Sequence, residues 1–273
     1  MPATRSNPRR QSGAQDSHSL RDVPKIGFDP RGLSADLLVW TRADMGITLN
    51  SGNVSAWDNV STASNDWAQA TASDQPPYSQ IGLGGRPELQ FDGTSDTMTG
   101  INLYGALTAK DEWTVAILTR GWSFGVSGNP WATEGLFGAP SGGGSYYNIG
   151  ITSQGSGCFG YHVYEASPDE MRIATSGATS LAEGAPAIVV CVSSGSNGFV
   201  RVNGLVGAVA TDMAALEAQA TTVNIGKGTR DSSKVPSYYD GTMSEILTFD
   251  GSLRTAEIEE LEAWMADRYG VEL

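Results

Sequence analysis

Residues 238–273 read YYDGTMSEILTFDGSLRTAEIEELEAWMADRYGVEL, and this stretch decides the fold. Residues 243–249 have strand character, and Asp250-Gly251-Ser252 is a turn. From Thr255 the period changes. Ile258, Leu261, Met265 and Tyr269 recur at spacings of three and four, with Trp264 beside them, which predicts a helix over 255–269 with one apolar face. Thr255 is the expected N-cap, and Glu257, Glu259 and Glu260 sit where the helix dipole favours negative charge. A strict capping box is not expected, because Ile258 stands where Glu or Gln is wanted. Arg268 lies near the end, and Gly270 can take the left-handed stop. One short amphipathic helix therefore closes the chain and has to dock on something.

The rest of the chain is strand-like. Short runs with strand character include residues 35–42, 54–58, 88–92, 112–120, 146–152, 158–164, 171–175, 199–202, 205–210 and 222–226. Residues 186–193 (PAIVVCVS) are apolar on both faces, as a strand inside a layered structure must be. Gly195-Ser196-Asn197-Gly198 and Asn203-Gly204 are hairpin signals. Residues 213–220 are long enough for about two helical turns. The chain holds 34 glycines in 273 residues, well above the usual ~7%. Close-spaced strands with frequent turn signals and almost no helix predict an all-β, two-sheet antiparallel sandwich of jelly-roll type.

Charge divides the chain in two. Residues 1–34 carry six basic and three acidic side chains, whereas the remainder carries 11 and 27. Residues 1–34 therefore read as an extended basic arm, with Arg5, Arg9, Arg10 and Arg21 as its candidate partner-docking residues, and residues 35–273 as the sandwich with helix 255–269. A net charge of −13 argues against nucleic acid as a partner. No apolar run is long enough to span a membrane, and the N-terminus lacks the apolar core of a secretory signal. Cys158 and Cys191 both fall in strand-like runs, where buried thiols are expected; whether they pair is open.

Three stretches resemble the concanavalin A-like lectin/glucanase superfamily, of the laminin G-like kind found in phage virion and bacterial surface proteins. They are residues 39–61 with 76–98, marked by Trp57-Asp58 and Phe91-Asp92-Gly93; residues 187–209, which include Val202-Asn203-Gly204; and residues 224–228 with 240–271, where a strand passes into the helix ending Tyr269-Gly270. The resemblance implies a jelly roll with glycan-binding or structural use. Glucanase members carry carboxylates at alternate positions of one strand, and no such strand is present: Asp169 and Glu170 are adjacent, so they face opposite ways. No catalytic residues are expected.

Other motifs are weaker. Residues 121–125 (GWSFG) match the serine-hydrolase elbow, but Gly125, Gly128 and Pro130 oppose the helix that must follow, and the available base is His162. Gly155, Gly157 and Gly160 match a dinucleotide fingerprint but lead into a strand. There is no metal cluster and no expected cofactor, a structural calcium at Asp92 and Asp96 aside; turn chemistry is the competing account of those two residues. Trp122, Trp131, Tyr146 and Tyr147, in and beside a Gly-rich loop, are the candidate glycan-binding residues, while Trp40, Trp57, Trp113 and Trp264 belong to the core.

The arm, the acidic sandwich and the resemblance together lead to an expectation of a non-enzymatic structural protein of a tailed-phage virion. It would be a head decoration or fibre component, oligomeric in the assembly and docked through its arm on a major capsid or tail protein. The alternative is a glycan-binding module that recognises cell-surface polysaccharide.

Overall fold

The computed structural model describes residues 27–101, 103–107, 110–121, 134–140, 147–154, 158–165, 170–177, 181–213, 222–228 and 237–273. In chain order the strands begin with β1 (Asp36–Arg42), β2 (Ile47–Asn50), β3 (Asn53–Trp57), β4 (Trp67–Ala68), β5 (Tyr78–Ser79), β6 (Glu88–Asp92) and β7 (Met98–Ile101). After a short helix α1 (Leu103–Leu107) come β8 (Glu112–Gly121), β9 (Glu134–Pro140), β10 (Tyr147–Gln154), β11 (Cys158–Glu165) and β12 (Glu170–Thr175). The last part holds β13 (Pro186–Ser194), β14 (Asn197–Val202), β15 (Leu205–Val206), β16 (Thr222–Ile225), β17 (Lys227–Gly228), β18 (Ser237–Tyr238), β19 (Asp240–Asp250) and helix α2 (Thr255–Tyr269).

Two antiparallel sheets carry the fold. The eight-stranded sheet runs β15-β14-β13-β8-β19-β6-β5, with β1 also on β19; the nine-stranded sheet runs β12-β11-β10-β9-β16-β7-β4-β3-β2. The main core lies between them and draws on both, with Trp57, Trp67, Trp113, Phe137, Tyr161, Val189 and Ile246 among its members. Trp113 of one sheet meets Tyr161 of the other edge to face, ring centroids 4.9 Å apart. The Tyr161 hydroxyl then donates to the Val192 carbonyl at 3.1 Å, so a buried phenol finds its partner in the opposite sheet. Gly198 makes room for it: a Cβ there would lie 1.6 Å from that hydroxyl.

The two hairpin signals are used. Gly195-Ser196 joins β13 to β14, and Asn203-Gly204, both at positive φ, joins β14 to β15. The strand expected over 205–210 stops at Val206, however. At Gly207 the chain presses on the other sheet's edge, where a Cβ would stand 2.1 Å from the Thr175 carbonyl oxygen. Of the helix expected in residues 213–220, all but Met213 lies outside the described residues.

Helix α2 covers the outer face of the eight-stranded sheet. Ile258, Leu261, Met265 and Tyr269 pack on Leu118, Ile188, Val190, Leu247 and Phe249 in a second core. This is the amphipathic face read from the sequence, and Gly270 stops the helix at φ 67°, ψ 38°. The start differs by one residue from expectation. Arg254 is the N-cap, so the third helical position is Glu257, whose carboxylate accepts from the Arg254 backbone N–H at 3.0 Å. The reciprocal half of a capping box is therefore present. Glu257 also accepts from Ser34 N–H (2.9 Å) and Ser34 Oγ (2.7 Å). Just upstream, Phe28 packs on Trp264 at 5.4 Å between centroids, so residues 28–34 are laid along the helix.

Two more polar contacts hold the helix down. Arg201 of β14 and Glu262 form a buried ion pair with a closest approach of 2.8 Å. At the C-terminal end, Arg268 donates to Asp44 at 2.7 Å, as do Arg42 and Arg86 at 3.0 and 3.3 Å. Under the same end, Glu245 is fully buried and accepts from Trp40 Nε1 at 2.6 Å. No described helix is long and apolar enough to cross a membrane.

Candidate functional site

Strand pairing across the nine-stranded sheet builds a feature that no single strand reveals. Inward residues fall in two rows. Ile47, Trp57, Trp67, Gly100 and Val223 are paired in one; Met98, Ile225, Phe137, Ile151, Tyr161 and Ala174 in the other. Between them, and so on the outer face, runs a continuous register: Thr48, Ala56, Ala68, Thr99, Asn224, Gly138, Gly150, His162, Ile173. It crosses all nine strands.

The row has two halves. From Thr48 to Asn224 it is exposed or half-buried. Four strand spacings separate those ends, about 19 Å. Thr99 Oγ1 donates to Asn224 Oδ1 at 3.0 Å, which fixes the amide and leaves its nitrogen with no protein partner among the described residues. From Gly138 to His162 the row is buried. The His162 ring lies over Gly150, where a Cβ would fall 2.4 Å from Nε2. Burial pushes His162 down to about 4, so the imidazole is neutral at pH 7. Beside it, Thr152 follows inward-facing Ile151 and so faces outward; its hydroxyl is buried and has no protein partner among the described residues.

This face contrasts with its counterpart. The outer face of the eight-stranded sheet is largely apolar and covered by α2, with Arg201 and Glu245 buried beneath the helix. The outer face of the nine-stranded sheet carries small polar and glycine positions, a surface that offers hydrogen bonds and close backbone approach.

The residues singled out in the sequence fall elsewhere. Trp122, Trp131 and Tyr146 lie outside the described residues; Tyr147 opens β10 opposite Pro140, and only its backbone is described. The connections that carry them attach at opposite ends of β9, at Glu134 and Pro140, about 20 Å apart along an extended strand. Arg5, Arg9, Arg10 and Arg21 also lie outside the described residues, as does Ser123 of the GWSFG motif. Trp57 and Trp113 are fully buried and Trp40 nearly so, as expected, while Trp264 is only partly covered at the helix edge. Cys158 and Cys191 are both free thiols. Cys191 is in the main core and Cys158 is half-buried, donating to the Gly177 carbonyl.

Asp92 and Asp96 follow turn chemistry. Asp92 Oδ1 accepts from the backbone N–H groups of Thr94, Ser95 and Asp96, and Oδ2 from the Thr94 and Ser95 hydroxyls. Burial alone would raise its pKa, but these donors hold the carboxyl well below the usual range. A carboxylate so occupied does not fit a calcium ligand, and among the described residues no group of three or more His, Cys, Asp or Glu is placed to hold a metal ion. Asp96 is pushed up to about 7, by burial first and then by the charges of Asp92 and Asp74.

What sequence reading missed is the row itself. Thr48, Ala56, Ala68, Thr99 and Asn224 are unremarkable in short runs such as Trp67-Ala68, and only the pairing of distant strands aligns them.

No family model matches the sequence, and no curated protein matches it at a significant level. Solved structures do share the fold. Domain 4 of AbnA, an extracellular GH43 arabinanase from Geobacillus stearothermophilus, solved with arabinotriose, superposes with a TM-score of 0.60 at 13% identity over 84% of this chain and 98% of that one. The CBM40 of the Ruminococcus gnavus IT-sialidase, bound to α2,3 sialyllactose, gives 0.52 at 13% identity over 64% and 95%. Trypanosoma rangeli sialidase gives 0.57 at 16% identity over 84% of this chain but only 33% of its own length. At these identities the likeness is one of fold, and it does not extend to a virion setting. The chain is a two-sheet, lectin-like β-sandwich similar in architecture to carbohydrate-binding and sialidase-type domains.

Proposed function

We propose that the chain is a glycan-binding module whose binding surface is the outer face of the nine-stranded sheet. The observation that carries this reading is the asymmetry of the two outer faces. One is largely apolar and covered by α2; the other bears the hydrogen-bonding row, open from Thr48 to Asn224, whose Asn224 amide nitrogen has no protein partner among the described residues. Fold likeness to domains solved with arabinotriose and sialyllactose supports it by analogy. Neither catalysis nor a cofactor is part of the reading.

A glycan array followed by titration of the best ligand tests it. Asn224→Ala and Thr99→Ala should each weaken binding about tenfold, as the loss of a hydrogen bond of roughly 1.4 kcal/mol would. Trp131→Ala separates this face from the Gly-rich loop: if it alone abolishes binding, the surface is assigned to the wrong place. A silent array rejects the module reading.

A virion role docked through the basic arm is compatible with glycan binding and rests on the family resemblance together with the charge of residues 1–34. Incorporation into particles of a chain lacking residues 1–26 tests it.

A further inference from the structure

We infer that the ligand of this face is an extended, uncharged oligosaccharide, and that the face discriminates against sialylated, uronate-containing and sulfated glycans. The inference rests on the glycan-binding reading and narrows it.

Charge is the first argument. A glycan carboxylate or sulfate at a water-exposed face is recognised by cations, best by the fork of an arginine. Of the ten described Lys and Arg residues, none lies on the row. Nine are ion-paired with carboxylates elsewhere, and Lys227 stacks over Tyr238 at 5.2 Å. The connections 122–133 and 141–146, which attach at the two ends of β9, contain no charged residue. The one histidine of the row is neutral at pH 7. At longer range the whole chain, at −13, repels polyanions.

Shape and chemistry are the second. The open half of the row extends about 19 Å across five strands, too long for a single ring to cover. It presents hydroxyls at Thr48 and Thr99, methyls at Ala56 and Ala68 and the amide nitrogen of Asn224. These groups match the hydroxyls and C–H faces of neutral sugars, and none of them neutralises an anion.

The experiment is direct binding of the full chain to paired probes: neutral arabinan and β-glucan fragments against 3′-sialyllactose and polygalacturonate fragments, at low and high salt. The expected result is binding of a neutral probe, unchanged by salt, with acidic probes at least tenfold weaker. Preference for an acidic probe overturns the inference and leaves the module reading standing; no binding of any probe, together with a silent array, overturns both. Two variants sharpen the test. Asn224→Lys should move selectivity toward the acidic probes. The pair Arg230→Ala with Lys234→Ala removes the cations of the 229–236 connection, which lies outside the described residues, and should leave neutral binding unchanged. Loss of binding in that pair, with an unchanged near-ultraviolet spectrum, overturns the inference.

Discussion

Asp96 and His162 are two buried titratable groups whose effects on stability run in opposite directions. Asp96 has an ordinary value of 3.8 and is pushed up to about 7 in the fold. Between those values the folded chain holds a proton that the unfolded chain has released, so this contribution is full at low pH and is lost as pH rises through about 7. His162 moves from 6.5 to about 4; its contribution is full above 6.5 and is lost as pH falls through about 4. The two slopes therefore oppose each other between about 4 and about 6.5. Asp96→Asn should remove one of them. Urea midpoints should show the variant gaining on the parent at about pH 8 relative to about pH 5, and equal differences at both would refute the assignment. The pair was only half legible in the sequence. Asp92-Gly93 announces a turn, but not that Gly226, at φ 77° just after β16, comes against the Asp96 carbonyl. Local sequence carries no trace of a contact made across more than a hundred residues.

Helix α2 was legible because its signal is local: four apolar residues at helical spacing and a glycine stop. What it covers was not, since Arg201 and Glu262 lie 61 residues apart and look like ordinary surface charges. In the fold they are 8% and 1% exposed. Burial pushes the Glu262 carboxyl up, and the Arg201 guanidinium opposes that shift. Such a pair costs much when broken and little when replaced whole. Arg201→Ala should therefore destabilise by about 3–5 kcal/mol, whereas Arg201→Met combined with Glu262→Leu should recover most of the loss. Denaturant melts of the three chains check it; a double variant no better than the single would show that the charges themselves are needed. The candidate face was illegible for a related reason. Alternation within β3, β7 and β16 marks which residues face outward, but a two-residue strand such as β4 has no period to read, and the row exists only through pairing.

For the whole molecule, the charge step near residue 34 does not coincide with the edge of the packed body. Phe28 on Trp264, Asp29 capping the 3₁₀ turn at Pro30–Gly32, and Ser34 on Glu257 join residues 28–34 to α2. A chain beginning at Gly27 should melt where the full chain does, while one beginning at Ala35 should melt about 2–4 °C lower, as a loss of about 1 kcal/mol implies. If the basic arm is the docking element, the Gly27 chain alone already fails to enter particles. Equal melting of the two truncated chains would place the boundary back at residue 34.

The opening stretch also has a consequence in time. β19 is the last of the described strands in chain order, yet it lies in the middle of its sheet, between β8 on one side and β1 and β6 on the other. Until residues 240–250 leave the ribosome, β8 on one side and β1 and β6 on the other lack the strand that joins them, and the second core has neither β19 nor its helix. Closure of the sheet therefore waits for residues 240–250 and joins segments about 200 residues apart, a topology that folds slowly and keeps open strand edges in the nascent chain. A ribosome stalled shortly before Asp240 would hold a chain with every residue of the candidate face already synthesised and nowhere stable to display it.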